Sequence, residues 1–299
     1  MIQKDKIKIY EVGPRDGLQN EKTNVPTEIK LALIDKLGNA GLRFIEATSF
    51  VSPKWVPQMA DHAQVMSGIT RLDGVTYAAL VPNEKGLEAA LATNTKEIAV
   101  FGAASESFSQ KNINASIAAS IDRFVPVIAK AKDEGVSVRG YVSCIAGCPY
   151  EGDIAPAAVA EIASTLYNLG CYEISLGDTI GVGTPTKISE VITAVSDRMP
   201  LEHIALHCHD TYGQALANIY AGLEQGIRIF DSAVGGLGGC PYAKGASGNV
   251  ASEDVIYMMD GLGMDTGIDI NALIDAAWYI TEKIGSVPHS KTAYALKDK

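Results

Sequence analysis

The stretch Ile204-Ala205-Leu206-His207-Cys208-His209-Asp210-Thr211-Tyr212-Gly213-Gln214-Ala215-Leu216-Ala217-Asn218 reads as a short strand, a polar turn and the start of a helix. The same order recurs along the whole chain. β-Branched or aromatic runs begin near Ile7, Phe44, Val75, Glu97, Val136, Tyr172, Ile204 and Ile229, and each leads through a polar or glycine-containing loop into a helical pattern. The pattern predicts helices over Thr27–Asn39, Glu84–Ala92, Ala115–Glu134, Pro156–Leu169, Pro185–Arg198, Gln214–Gln225 and Ser252–Leu262, with a last one at about Asn271–Ile284. Eight strand–helix units in one run, with no Pro/Ser-rich linker between them, predict an α/β fold of the closed (β/α)8 TIM-barrel type. The expectation is one catalytic domain over residues 1–299, with the barrel at about 6–262 and a C-terminal helical extension at about 270–285. An open doubly wound sheet is the alternative. A closed barrel has a specific consequence: its chemistry sits at the C-terminal ends of the strands.

Bulk properties narrow the function. The 299 residues carry a formal net charge of −10, with 47% hydrophobic and 20% charged residues. That balance suits a soluble globular protein large enough to bury a core without disulfides. It argues against nucleic acid or an anionic membrane as partner, since both need a basic footprint. No apolar run reaches the roughly 18 residues of a membrane span. The five cysteines, Cys144, Cys148, Cys171, Cys208 and Cys240, are irregularly spaced. They read as free thiols in a reducing compartment, and no leader pattern precedes the first strand, so the expectation is cytoplasmic. Cys144, Cys148, Cys171 and Cys208 read as small buried residues, and neither Cys144 nor Cys148 as a zinc ligand.

Polar residues do gather at the predicted strand ends. The first strand ends Glu11-Val12-Gly13-Pro14-Arg15-Asp16-Gly17, the second Glu46-Ala47-Thr48-Ser49, the sixth Ser175-Leu176-Gly177-Asp178-Thr179 and the seventh His207-Cys208-His209-Asp210. The eighth runs into Gly235-Gly236-Leu237-Gly238-Gly239-Cys240. In a strand, residues two apart share a face, so His207 and His209 point together and Cys208 points away. Two imidazoles on one face can present two nitrogens to one metal. Closure of the barrel sets strands 1, 7 and 8 side by side, which makes Asp16 and Asn249 candidate oxygen ligands. A mixed nitrogen and oxygen set with open positions suits a divalent cation such as Mg2+ or Mn2+. Arg15, beside Asp16, would place a permanent cation where a developing enolate needs one. The glycine-rich segment 235–249 is read as a mobile lid carrying Cys240 to the site, with Lys244 near an anionic group, and a plain flexible βα loop is the alternative.

The first motif, Glu11-Val12-Gly13-Pro14-Arg15-Asp16-Gly17-Leu18-Gln19-Asn20-Glu21, resembles that of the 3-hydroxy-3-methylglutaryl-CoA lyases. So does the loop from Gly235 through Cys240-Pro241-Tyr242-Ala243-Lys244-Gly245-Ala246-Ser247-Gly248 to Asn249, together with His207-Cys208-His209-Asp210-Thr211-Tyr212-Gly213 and Leu176-Gly177-Asp178-Thr179-Ile180-Gly181. The resemblance runs through nearly the whole chain in order. It implies metal-dependent cleavage of 3-hydroxy-3-methylglutaryl-CoA to acetoacetate and acetyl-CoA. Asp16, His207, His209 and Asn249 would hold the metal, and Arg15 would stabilise the enolate. Glu46 and Asp178 would assist proton movement and position Arg15 or the metal, and Cys240 would act in proton transfer, with Asp16 and His207 as further candidates. Gln19, Ser49, Arg139, Tyr141 and Ser175, at or near strand ends, are candidate substrate contacts with Arg15. The implied partner is an acyl-CoA, and the implied assembly a homo-oligomer, a dimer first. The related alternative is an acyl-CoA-dependent condensing synthase or an aldolase of the same superfamily.

Overall fold

The computed structural model describes residues 5–238 and 248–297. Eight parallel strands close into a barrel: β1 Lys8–Glu11, β2 Phe44–Ser49, β3 Thr76–Leu80, β4 Glu97–Ala103, β5 Ser137–Ser143, β6 Glu173–Asp178, β7 Ile204–Cys208 and β8 Ile229–Ser232. Each strand pairs with the next in sequence, and β8 pairs with β1 from Lys8↔Ile229 to Glu11↔Ser232. The expected closed barrel is therefore present, and the open-sheet alternative is excluded.

Helices alternate with the strands: α1 Thr27–Asn39, α2 His62–Gly68, α3 Glu84–Ala92, α4 Glu106–Ile113, α5 Ile117–Asp133, α6 Pro156–Leu169, α7 Pro185–Ser196, α8 Ala215–Glu224 and α9 Ser252–Gly261. The extension holds α10 Ile270–Lys283 and the short α11 Lys291–Ala295. The sequence pattern missed α2, α4 and α11. Helices of five to eight residues give too few turns for an apolar stripe to repeat. A local signal for α4 was present, since Ser105 Oγ accepts from the Phe108 amide as an N-cap. A two-stranded ribbon, Gly147–Cys148 against Gly152–Asp153, also went unread.

The two faces of the barrel sheet differ sharply. Ile9, Ile45, Ile98, Val138, Val142, Ile174, Leu176, Leu206 and Phe230 are buried in one continuous core with the helices. A second, small apolar cluster of Leu80, Ala99 and Tyr141 stands apart from it. Much of the remaining interior is polar, and it includes the buried Arg139, Glu173, Asp231, Glu46 and His207. Barrels of this type more often fill their centre with branched apolar side chains.

Two glycines past helix ends adopt left-handed backbone, Gly170 after α6 at φ 118° and Gly41 after α1 at φ 107°. An added Cβ at Gly170 meets only Ile128 Cγ2, at an ordinary 3.5 Å, whereas at Gly41 it collides with the Gly267 carbonyl and lies 3.1 Å from Ile268 Cα. Gly170→Ala should therefore lose about 1–2 kcal/mol from backbone strain alone. Gly41→Ala should lose clearly more, because the C-terminal extension must also shift. Denaturant melts of the two variants check this, and equal losses would refute the packing account.

Candidate active site

After β1 the chain winds a tight turn over Gly13–Gly17, in which the amides of Arg15, Asp16 and Gly17 all donate to the Val12 carbonyl, at 3.2, 2.7 and 3.2 Å. A continuing strand would send neighbouring side chains to opposite faces. The turn instead brings Arg15 and Asp16 together: Arg15 Nη1 donates to Asp16 Oδ1 at 2.5 Å and Nε donates to Glu46 Oε2 at 2.6 Å. Among the described residues, Arg15 Nη2 has no hydrogen-bond partner. Tyr141 donates its hydroxyl to the same Glu46 oxygen at 3.3 Å, while Glu46 Oε1 is buried and has no hydrogen-bond partner among the described residues. Burial raises the Glu46 pKa, an effect that Arg15 only partly offsets.

Asp16, His207 and His209 each offer a ligand atom within 4.8 Å of the others'. The two Nε2 atoms lie 3.2 Å apart, a spacing that neighbouring donors reach around one ion with bonds of about 2.1 Å. Burial and the neighbouring His207 lower His209 to about 4, so at neutral pH its ring is uncharged and carries the lone pair that a metal requires. Burial would raise Asp16, but Arg15 and the two histidines outweigh it and lower the carboxyl to about 2. Asn249 bridges to the His209 backbone and donates Nδ2 to Asp16 Oδ2 at 2.9 Å. The mixed nitrogen and oxygen donor set thus fits a divalent cation.

The structure distributes the remaining sequence candidates unevenly. Gln19 Nε2 donates to Asp16 Oδ1 at 3.2 Å, which sets it at the cluster's edge. A bulge between Glu46 and Thr48 shifts the pairing of β2 with β3. Thr48 then turns to Met59 in the helix-facing core, and strand alternation puts Ser49 on the other face, with Glu46. Arg139 and Ser175 do not reach the cluster. Both are fully buried and spend their donors on Asp231 and Glu173, which sets them beneath the site. Asp178 accepts from the Val182 and Gly183 amides at 3.2 and 2.8 Å and holds its own loop; no hydrogen bond joins it to Arg15 or to the ligand cluster. Burial raises its pKa to about 6. Cys240 and Lys244 lie outside the described residues. Cys144, Cys148, Cys171 and Cys208 are buried, as expected.

Three acidic residues at or near the site were not among the candidates named from the sequence. Asp231 stands behind His207, with Oδ2 at 3.2 Å from Nδ1. Glu11 accepts from the amides of Gly13 and Val234, each at 2.8 Å, and from Ser252 Oγ at 2.6 Å, so it ties the Arg15 turn to the segment after β8. Glu253 accepts from the Gly235 amide at 2.8 Å, and its Oε2 is buried with no hydrogen-bond partner among the described residues. A charged residue inside the apolar run Ile229-Phe230-Asp231 was the available signal.

The family model described as HMGL-like matches residues 6–280. The chain is 58% identical over 289 residues to "Hydroxymethylglutaryl-CoA lyase, mitochondrial" of Bos taurus, covering 97% of this chain and 89% of that protein. Among solved structures, the hydroxymethylglutaryl-CoA lyase from Pseudomonas aeruginosa superposes with a TM-score of 0.97 at 58% identity, over 99% of each chain. An "HMG-CoA lyase from Acenitobacter baumannii in complex with coenzyme A and 3-methylmalate" does so with a TM-score of 0.93 at 38% identity, over 97% of this chain and 95% of that one.

The acidic pair behind the two loops has a measurable consequence. Burial raises Glu253 to about 8 and Glu11 to about 7. Between the unfolded carboxyl range near 4.5 and these values, the folded chain binds more protons than the unfolded one, so stability falls as pH rises. Glu253→Gln keeps an acceptor for Gly235 and removes one titration. Thermal melts of metal-free protein from pH 5 to pH 9 should show a shallower decline for E253Q than for the parent. Identical slopes would sink this account.

Proposed function

The chain belongs to the HMGL-like family, and from that premise and the site's geometry we propose that it cleaves 3-hydroxy-3-methylglutaryl-CoA to acetyl-CoA and acetoacetate. The observation that carries the reading is the contact between Arg15 and a metal-competent cluster built from the ends of the first and seventh strands. Cleavage removes the proton of the C3 hydroxyl and breaks the C2–C3 bond, leaving its electrons on the thioester side. C3 becomes the ketone of acetoacetate, and a proton delivered to C2 completes acetyl-CoA. A divalent cation, Mg2+ or Mn2+, would be held by Asp16, His207, His209 and Asn249, and when bound it supplies positive charge that acidifies the hydroxyl and orients the free carboxylate.

The chain's own residues do the rest. Arg15 is locked by Glu46 and Asp16 through Nε and Nη1, which leaves Nη2 to meet the enolate oxygen as its charge develops. A donor fixed in advance against charge that appears in the transition state raises the rate rather than the affinity. Glu46, itself braced by Tyr141, keeps the guanidinium in that pose. Gln19, Ser49 and Tyr141 are the remaining substrate contacts in this reading, and Cys240 takes part in the proton transfer that ends at C2. Residues 1–299 act as one catalytic domain, working as a homodimer in the cytoplasm. No helix of the described residues is long and apolar enough to cross a membrane, and the solved relative holding coenzyme A supports the acyl-CoA class of substrate.

Purified protein given 3-hydroxy-3-methylglutaryl-CoA and Mg2+ should release acetoacetate. EDTA should abolish turnover and added Mg2+ or Mn2+ restore it. Absence of acetoacetate above background would overturn the reading. Arg15→Gln should lower kcat on the order of 10²–10³-fold with a much smaller change in KM. Cys240→Ser should slow turnover, and full activity in that variant would remove Cys240 from the proton path.

A further inference from the structure

Behind the ligand cluster runs a column of buried charge that the reaction scheme leaves unused. Arg139 forks onto Asp231, with Nη2 donating to Oδ1 at 2.7 Å and Nη1 to Oδ2 at 3.1 Å. Its Nε donates to Glu173 Oε1 at 2.6 Å, and Lys8 Nζ donates to the other Glu173 oxygen at 2.8 Å. Ser175 Oγ adds a bond of 2.7 Å to Asp231 Oδ2. The Arg139 guanidinium also lies 4.0 Å from the centre of the Tyr10 ring. The column thus passes from His207 through Asp231, Arg139 and Glu173 to Lys8, near the start of the first strand.

Such a column is a poor choice for stability alone. Buried ion pairs can be replaced by packed apolar side chains with no loss and often a gain. What it supplies is direction. Asp231, forked by Arg139, faces His207 with acceptor oxygens only. The Nδ1 of His207, 3.2 Å away, must therefore bring the proton to that contact. This fixes both the tautomer and the tilt of the ring, leaving Nε2 toward His209 Nε2 at 3.2 Å.

We propose that Asp231 is a positioning residue for the reaction: it holds His207 with Nδ1–H toward the barrel interior and Nε2 toward Asp16 and His209, and Arg139 holds Asp231 in turn. This inference rests on the reading of His207 as a metal ligand. Its expected signature is metal affinity, because loss of such an outer partner typically weakens binding about 10–100-fold.

Mn2+ titrations followed by electron paramagnetic resonance, without substrate, would compare the parent chain with Asp231→Asn and His207→Ala. D231N should bind Mn2+ on the order of 10–100-fold more weakly and show a larger fall in kcat than rise in KM; H207A should lose binding. If H207A keeps the parent's affinity, the metal-site reading fails. If H207A loses binding while D231N stays within about twofold of the parent, the positioning role fails. Should D231N not fold, the parent chain answers directly. Long-range ¹H–¹⁵N spectra of the metal-free protein at pH 8, with His207 assigned by the H207A spectrum, should show Nδ1 protonated. A bare Nδ1 on His207 would overturn the inference.

Discussion

The pairing of β8 with β1 is the constraint on which the rest depends. Their register, with Glu11 opposite Ser232, closes the barrel and sets the end of the first strand beside those of the seventh and eighth. Only then does the turn that carries Arg15 and Asp16 face His207 and His209, whose positions lie nearly two hundred residues along the chain. Asn249 joins them because its segment pairs with the end of β7, where the Val250 amide donates to the Cys208 carbonyl at 3.1 Å. The cluster is therefore a product of closure, not of any local motif.

Around it the chain spends ionisable groups where barrels usually place branched hydrocarbons. Glu46 sits between Arg15 and Tyr141, Asp231 between His207 and Arg139, and Glu173 between Arg139 and Lys8. Each charge is matched by an opposite one within hydrogen-bond distance, which offsets the desolvation that burial imposes. Removing one partner would leave the other stranded, at about 3–5 kcal/mol. The fold accepts that exposure to mutation in its centre and keeps its apolar stabilisation outside, where strands meet helices. Stability and chemistry thus occupy opposite faces of the same sheet.

Much of this was legible from the residues. Eight strands begin within a residue or so of where the sequence pattern sets them, and α1, α3 and α6 match their expected spans, because strand alternation and helical periodicity over nine or more residues are local properties. His207 and His209 were readable as a pair because a period of two fixes their common face. Arg15 and Asp16 were readable as candidates from their glycine-flanked turn. The placement of Arg139, Ser175 and Asp178 was not legible from their nearness to a strand end. Whether a side chain enters the mouth, supports it from beneath or turns back to its own loop depends on parity, depth and neighbouring strands. Asp178 satisfies amides of Val182 and Gly183; Arg139 is claimed by two acids from other strands.

The sequence by itself determined the order of elements, the polar character of the strand ends and the residue types able to hold a metal and steady an enolate. Those follow from backbone propensity and side-chain chemistry, which act within a few residues. Only the tertiary structure decided which candidates meet. It shifted the pairing at the β2 bulge, so that Glu46 and Ser49 share a face, and wound the Gly13–Gly17 turn, so that adjacent residues converge. It also set Asp231 behind His207. Those are consequences of strand register and barrel closure, and both are fixed by contacts between segments far apart in the chain.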